Sequence, residues 1–308
     1  MISLQHSTIQ TPDGATLAVY RTEKRRPGPS LVLAGGIAGG VDAWRLLIDD
    51  FAPFHQIISW DYRGLFRSSV GNRALRPSDV RIERHAADLA LVLSELNVEQ
   101  VVLIGWSMGA RVALELARTA PQRVLGVVSI NGAFGRPVQH ALTPWIGPLA
   151  GAVPMLLRAA ETAAPGAQRL RRRIEPLLHR GLTVDGLRLA GMVGETIDVR
   201  RFAGLMHDLS QVELPALLAV VNALAEHCAE VDLPELDVPV LLVAGERDPF
   251  TSTADVQRAS SRFVHGDVLI VPSSTHFTLL EFAELLHLRI EKFLRDQVHF
   301  DRYIDVSR

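Results

Sequence analysis

Gly105-Trp106-Ser107-Met108-Gly109 lies between an apolar run, Gln100-Val101-Val102-Leu103-Ile104, and a helix-like run, Val112 to Arg118, that Pro121 stops. This junction constrains the fold more than any other stretch of the chain. A buried strand that passes through Gly-x-Ser-x-Gly directly into a helix must turn sharply. The two glycines remove side chains where the backbone needs unusual dihedrals and close approach. The spacing predicts a nucleophile elbow. The Ser107 hydroxyl is expected above the sheet at a helix N-terminus, where the helix dipole favours developing negative charge.

The neighbouring sequence repeats the strand–helix unit. Ser30 to Ala34, Gln56 to Trp60 and Val124 to Ile130 read as further strands, and Val41 to Phe51 and Asp79 to Leu96 as helices. The alternation stops near Asn131 and resumes with the strand Pro239 to Ala244, the helix Thr253 to Ser261, the strand Asp267 to Val271 and a closing helix from about Phe277 to Arg295. Strands alternating with helices imply a mostly parallel sheet covered on both faces. The predicted class is therefore α/β. Its core comprises residues 1–131 and 237–308, with a helical cap over 132–236. In the cap, Val212, Pro215, Leu218, Val221 and Leu224 form one apolar stripe, and Leu170, Ile174, Leu177 and Leu178 another.

Bulk properties remove several classes of function. A chain of 308 residues with a formal net charge of −2 gives no reason to expect nucleic acid as a partner. Cys228 is the single cysteine, so neither an intrachain disulfide nor a cysteine-cluster metal site can form. The apolar stretch Leu142 to Leu157 is broken by Pro144, Gly147, Pro148, Gly151 and Pro154, which argues against a transmembrane segment. Met1 to Gln10 has polar residues where a signal peptide is apolar, so the cytoplasm is the expected location. Oligomeric state stays open.

An activated serine needs a base within hydrogen-bond reach and a third group to orient that base. In open parallel sheets such groups gather at the carboxyl ends of strands. Asp248 follows one predicted strand through Gly245-Glu246-Arg247, and His276 follows the last through Pro272-Ser273-Ser274-Thr275. Glu246, two residues nearer its strand, is the competing acid. His85, His55 and His287 lie in two helices and a loop and read as structural or surface residues. The loop Gly35-Gly36-Ile37-Ala38-Gly39-Gly40 lacks phosphate-binding spacing and suits half of an oxyanion hole. Its donor is the Gly36 N–H, or alternatively that of Ile37, and the Met108 N–H is the second donor.

These motifs resemble the α/β-hydrolase superfamily in its capped branch of esterases, C–C hydrolases and cofactor-free perhydrolases. The resemblance covers about residues 10–131 and 237–297. It departs at Ala34, where a histidine usually precedes the glycine loop, and at Phe66. The segment Asp61-Tyr62-Arg63-Gly64-Leu65-Phe66-Arg67-Ser68 otherwise resembles the family's D-x-R-G-x-G-x-S turn. The resemblance implies that this turn shapes the core beside the site, with no catalytic role. Ser107 argues against the aspartate nucleophile of epoxide hydrolases and haloalkane dehalogenases.

The expected activity is a serine hydrolase cleaving carboxylic esters of small to medium apolar acids. No cofactor or metal is called for. The same Ser107, Asp248 and His276 would also serve C–C hydrolysis, acyl transfer or perhydrolysis, and a ligand-binding protein without catalysis is the remaining alternative. Ile37, Trp106, Trp145 and Phe277 are the expected pocket residues. Ile146, Leu149, Val153, Met155, Leu156, Leu157, Met192, Val193 and Met206 are further apolar candidates in the cap. Arg169, Arg171, Arg172, Arg173 and Arg180 read as a solvated basic face.

Overall fold

Every predicted strand forms, within a residue or two of its expected ends, and all join one eight-stranded sheet. The computed structural model describes residues 2–22, 26–37, 39–135, 184–189, 191–230 and 236–300, with isolated residues between 137 and 163. The strands are β1 (Gln5–Gln10), β2 (Thr16–Arg21), β3 (Ser30–Ala34), β4 (Ile57–Trp60), β5 (Val101–Trp106), β6 (Val124–Ile130), β7 (Val240–Gly245) and β8 (Gly266–Val271). Their order is β1-β2-β4-β3-β5-β6-β7-β8. From β4 to β8 every neighbouring pair is parallel, whereas β1 and β2 add on antiparallel.

The hairpin β1–β2 has no counterpart among the sequence expectations. β1 is exposed along nearly its whole length, so it carries no alternation of apolar and polar residues to read. Its turn is closed by Gly14 at φ +84°, a conformation that glycine adopts without strain.

Period-two packing explains the apolar runs. Val32 and Ala34 of β3 join a core cluster with Val101 and Leu103 of β5, while Leu31 and Leu33 join the opposite cluster with Val102 and Ile104. Both faces are buried, so each strand reads as continuously hydrophobic. The first face is covered by α2 (Ile82–Glu95), α3 (Met108–Thr119) and α7 (Thr253–Ser260), through residues such as Leu89, Val112 and Val256. The second is covered by α1 (Arg45–Phe51) and α9 (Ala283–Gln297), through Ile48, Phe51, Ile290 and Phe293.

Two helices differ from expectation. Val41 to Trp44 is a tight 3-10 turn leading into α1. The closing helix is broken into α8 (Thr278–Glu281) and α9 at Phe282, whose backbone leaves the helical region at φ −135° and ψ 46°.

Between β6 and β7 the described residues contain helices and no strand: α4 (Val184–Leu189), α5 (Val199–Gln211) and α6 (Leu214–Glu230). Asp198 caps α5 by accepting from the Arg201 N–H. Of the predicted stripe, Val212 and Leu224 are buried in the first core cluster, whereas Pro215, Leu218 and Val221 are half-buried and Val220, outside the stripe, is buried in their place. The stripe of Leu170, Ile174, Leu177 and Leu178, the arginines at 169–180, Trp145, Ile146, Leu149, Val153 and Leu157 lie outside the described residues. Among the described residues no single helix is long and apolar enough to cross a membrane.

Candidate active site

The elbow forms as the glycine spacing predicts. Ser107 sits between β5 and α3 at φ 56° and ψ −117°, a strained conformation for a residue with a side chain. Close packing explains both flanking glycines. A Cβ on Gly105 would lie 2.4 Å from the Gly109 carbonyl oxygen, and one on Gly109 only 2.0 Å from the Ala34 carbonyl oxygen. The helix therefore starts hard against the sheet, with Ser107 half-buried at its N-terminal end.

Three strand-end loops bring Ser107, His276 and Asp248 into one hydrogen-bonded chain. His276 Nε2 lies 2.9 Å from Ser107 Oγ, and His276 Nδ1 lies 2.9 Å from Asp248 Oδ2. Asp248 is buried and fixed by further donors. Its Oδ1 accepts from the Phe250 and Thr251 N–H groups at 2.8 and 3.2 Å, and its Oδ2 also accepts from Asn131 Nδ2 at 3.0 Å. The competing acid points elsewhere: Glu246 is exposed, and its carboxylate accepts from the Ser273 N–H at 2.9 Å.

The imidazole is held on its other sides by aromatic rings. Phe250 lies 4.7 Å from it between centroids and Trp106 5.8 Å. The Trp106 indole N–H also donates to the His276 carbonyl at 2.9 Å, so the residue before the serine holds the backbone of the histidine. Phe277 packs against Trp106 and His276 in turn.

Two residues that sequence reasoning missed support this chain. Asn131, the residue just after β6, is fully buried at φ 47°, a left-handed conformation that asparagine tolerates better than most residues. Its Nδ2 donates to Asp248 Oδ2 and to the Thr275 carbonyl at 3.1 Å, joining the acid loop to the histidine loop. Both neighbours are acceptors, which leaves only the NH₂ end able to face them. Glu281 is also buried and bonds Ser274 and Thr275, the two residues before His276. An asparagine at a strand end and an acid five residues after the histidine were the visible signals, too generic to read without the fold.

Ser107 and His276 open into a cavity of ≈ 360 Å³. Ile37, Trp106 and Phe277 line it; Trp145 lies outside the described residues. The stretch between β6 and β7 supplies Met192, Val193 and Met206, together with Leu187, Phe202, Leu209, Leu217, Val221 and Leu224. Met155 and Leu156 are corrections: both side chains are more than half exposed and neither lines the cavity. Gly36 packs against the serine, with room for a Cβ only 3.2 Å from Ser107 Cβ.

The remaining sequence features are accounted for away from the serine. In the Asp61–Ser68 turn, Arg63 is buried and forks onto both oxygens of Asp88 at 2.6 and 2.7 Å while also reaching Asp13 at 2.7 Å. Those carboxylates keep its guanidinium firmly charged. Tyr62 donates to the Gly35 carbonyl at 2.8 Å, which holds the glycine loop from beneath. His85 packs against Tyr62 at 4.5 Å between ring centroids with the planes tilted by 45°, and burial lowers its pKa to about 3. His55 Nδ1 lies 2.9 Å from the Pro29 carbonyl, and His287 lies 3.2 Å from Asp50, both away from the serine.

Parallel sheet, elbow serine and strand-end histidine together define a class, and the comparisons agree: residues 29–283 match the family model described as alpha/beta hydrolase fold. The chain belongs to that family. It is 23% identical over 282 residues to 3-oxoadipate enol-lactonase 2 of Acinetobacter baylyi, covering 90% of this chain and 92% of the relative. It is 24% identical to the pimeloyl-(acyl-carrier protein) methyl ester esterase of Vibrio campbellii, covering 86% and 94%. Among solved structures, one of the novel epoxide hydrolases from metagenomes of hot environments superposes with a TM-score of 0.70 at 16% identity, covering 95% of this chain and 99% of that one. Likeness at that identity shows the fold alone.

Proposed function

We propose that this α/β-hydrolase cleaves carboxylic esters of small to medium apolar acids through an acyl-enzyme on Ser107. The observation that carries the reading is the Ser107–His276–Asp248 hydrogen-bond chain ending at an apolar cavity. In this reading His276 Nε2 takes the Ser107 proton as Oγ attacks the ester carbonyl. Asp248 holds the Nδ1–H tautomer and stabilises the imidazolium that forms. The imidazolium then protonates the departing alkoxide. A water deprotonated by His276 attacks the acyl-enzyme, and the acid leaves as Ser107 regains its proton.

The developing oxyanion is assigned to the Met108 N–H, at the first position of α3 where backbone donors have no helical partner, together with the Gly36 or Ile37 N–H. Losing one such donor typically costs about 3–4 kcal/mol of transition-state stabilisation. The segment 132–236 is assigned the role of a cap, on the ground that Leu187, Met192, Phe202, Met206 and Leu217 within it line the cavity. The cap-side lining is apolar, so an acyl chain gains by leaving water there, whereas a charged acyl group would be desolvated without a partner. A lactone-cleaving and a methyl-ester-cleaving enzyme among the relatives support ester chemistry.

The test pairs a fluorophosphonate probe with p-nitrophenyl esters of increasing chain length. Labelling at Ser107 and turnover that rises beyond acetate are expected. No labelling and no turnover across the series overturns the reading. Turnover of a vinylogous diketone with inert esters would move the same residues to C–C hydrolysis.

A further inference from the structure

Glu281 is a buried acid outside the Ser107–His276–Asp248 chain, and its carboxylate collects four donors. Oε2 accepts from the Thr275 N–H at 2.7 Å and the Ser274 hydroxyl at 3.0 Å. Oε1 accepts from the Thr275 hydroxyl at 2.6 Å and the Gly194 N–H at 2.7 Å. Three of the four therefore hold the two residues that precede His276. The fourth comes from a different part of the molecule, the stretch between α4 and α5 whose Met192 and Val193 line the cavity.

Gly194 suits this contact. A Cβ there would lie 3.0 Å from Glu281 Oε1 and 3.2 Å from its Cδ, so a larger residue displaces the carboxylate. The geometry is also specific to a carboxylate. A glutamine in either orientation turns its NH₂ against a backbone N–H, that of Gly194 or that of Thr275, and one side of the bridge opens.

We infer that Glu281 is a positioning residue that couples the cavity wall at Met192–Gly194 to the placement of His276. The inference rests on the serine-hydrolase reading above. An acyl chain that fills the cavity presses on Met192 and Val193, and the bridge passes that contact to the loop that aims the base. An acetyl group leaves most of a ≈ 360 Å³ cavity empty and does not use the bridge.

The experiment compares p-nitrophenyl acetate and hexanoate on the full chain, its Glu281→Gln variant and its Gly194→Ala variant. In Glu281→Gln, kcat for hexanoate should fall about tenfold further than kcat for acetate, the size of coupling expected between groups in one network. KM should change less than kcat. Gly194→Ala, which retains the carboxylate but crowds it, should show the same skew more weakly, and the double variant should be no worse than Glu281→Gln alone. An equal loss on both esters, or no loss, overturns the inference.

Hydrogen exchange provides a readout independent of turnover. Glu281→Gln should raise exchange at 192–194 and 274–276 together, and a rise confined to one segment overturns the coupling. Failure of the unmodified chain to label or to cleave any ester counts against the hydrolase reading, leaving the exchange result to decide the coupling. If Glu281→Gln does not fold, Gly194→Ala carries both measurements.

Discussion

The two sides of the cavity are built on different principles. On the sheet side, Ser107, Asp248 and His276 hang on the ends of β5, β7 and β8, and hydrogen bonds of 2.8–3.2 Å tie their side chains to one another and to Asn131, Phe250 and Thr251. On the other side, Phe202, Met206, Leu217 and Leu224 come from helices, and Met192 from the stretch between α4 and α5, none of which strand pairing holds in register. Hydrogen bonds fix direction, whereas apolar packing fixes mainly volume and tolerates adjustment. Under the proposed ester cleavage, the difference assigns chemistry to the sheet side and the choice of acyl group to the helical side. Substitutions on the first should damage every substrate alike, and those on the second should separate long substrates from short ones.

The hardest test of the sheet side is to remove the residue proposed as its nucleophile or the one proposed as its base. Ser107→Ala and His276→Ala are each expected to lower kcat by about 10⁴–10⁶ on all esters, as loss of either member does in a serine protease whose groups act as a unit. Far-ultraviolet circular dichroism should show the fold intact. A loss that depends on acyl length would break the division between the two sides. Asp248→Asn should cost about 10⁴, because an amide at that position favours the wrong imidazole tautomer.

How much of this was readable before folding follows the same division. Ser107, Asp248 and His276 could be placed because strand ends, turn glycines and apolar runs are local signals, and their order along the chain matches the strand ends. Glu246 stayed a competitor because only the loop path separates it from Asp248; in the fold it bonds Ser273 at the surface. Asn131 and Glu281 were missed because their roles exist only where loops distant in sequence meet. The cap wall was partly legible: Met192, Val193 and Met206 were named, whereas Phe202, Leu209 and Leu217 required the helix orientations. β1 was invisible because its exposed edge bears no apolar pattern.

A cap substitution gives the intermediate effect. Met206 is partly buried and lines the cavity, so Met206→Trp should shorten it. The kcat/KM for hexanoate is expected to fall about 10–100-fold, the discrimination that one or two methylenes command in an apolar pocket, while acetate stays within about twofold. An equal fall for both esters would place Met206 with the chemistry and erase the comparison. At the other extreme, Glu246→Gln should leave both esters within about twofold, since its carboxylate is exposed and bonds only the Ser273 N–H.

The smallest effect on activity tests how the sheet side is supported from below. His85 is fully buried against Tyr62, which holds the Gly35 carbonyl, and neither of its ring nitrogens has a hydrogen-bond partner among the described residues. Its pKa is lowered from 6.5 to about 3 by burial, so the folded protein keeps it neutral where the unfolded chain protonates it. Between those values the unfolded state binds the extra proton, and stability falls as pH drops from 6.5 toward 3, by up to about 1.4 kcal/mol per pH unit from this residue. His85→Phe preserves the packing and removes the titration. Urea unfolding at pH 7.5 and pH 5 should show a smaller loss of stability on acidification in the variant than in the parent, with ester turnover at pH 7.5 unchanged within about twofold. An unchanged acid sensitivity would show that His85 is not the group responsible. A large loss of turnover would show that the glycine loop depends on more than packing from beneath.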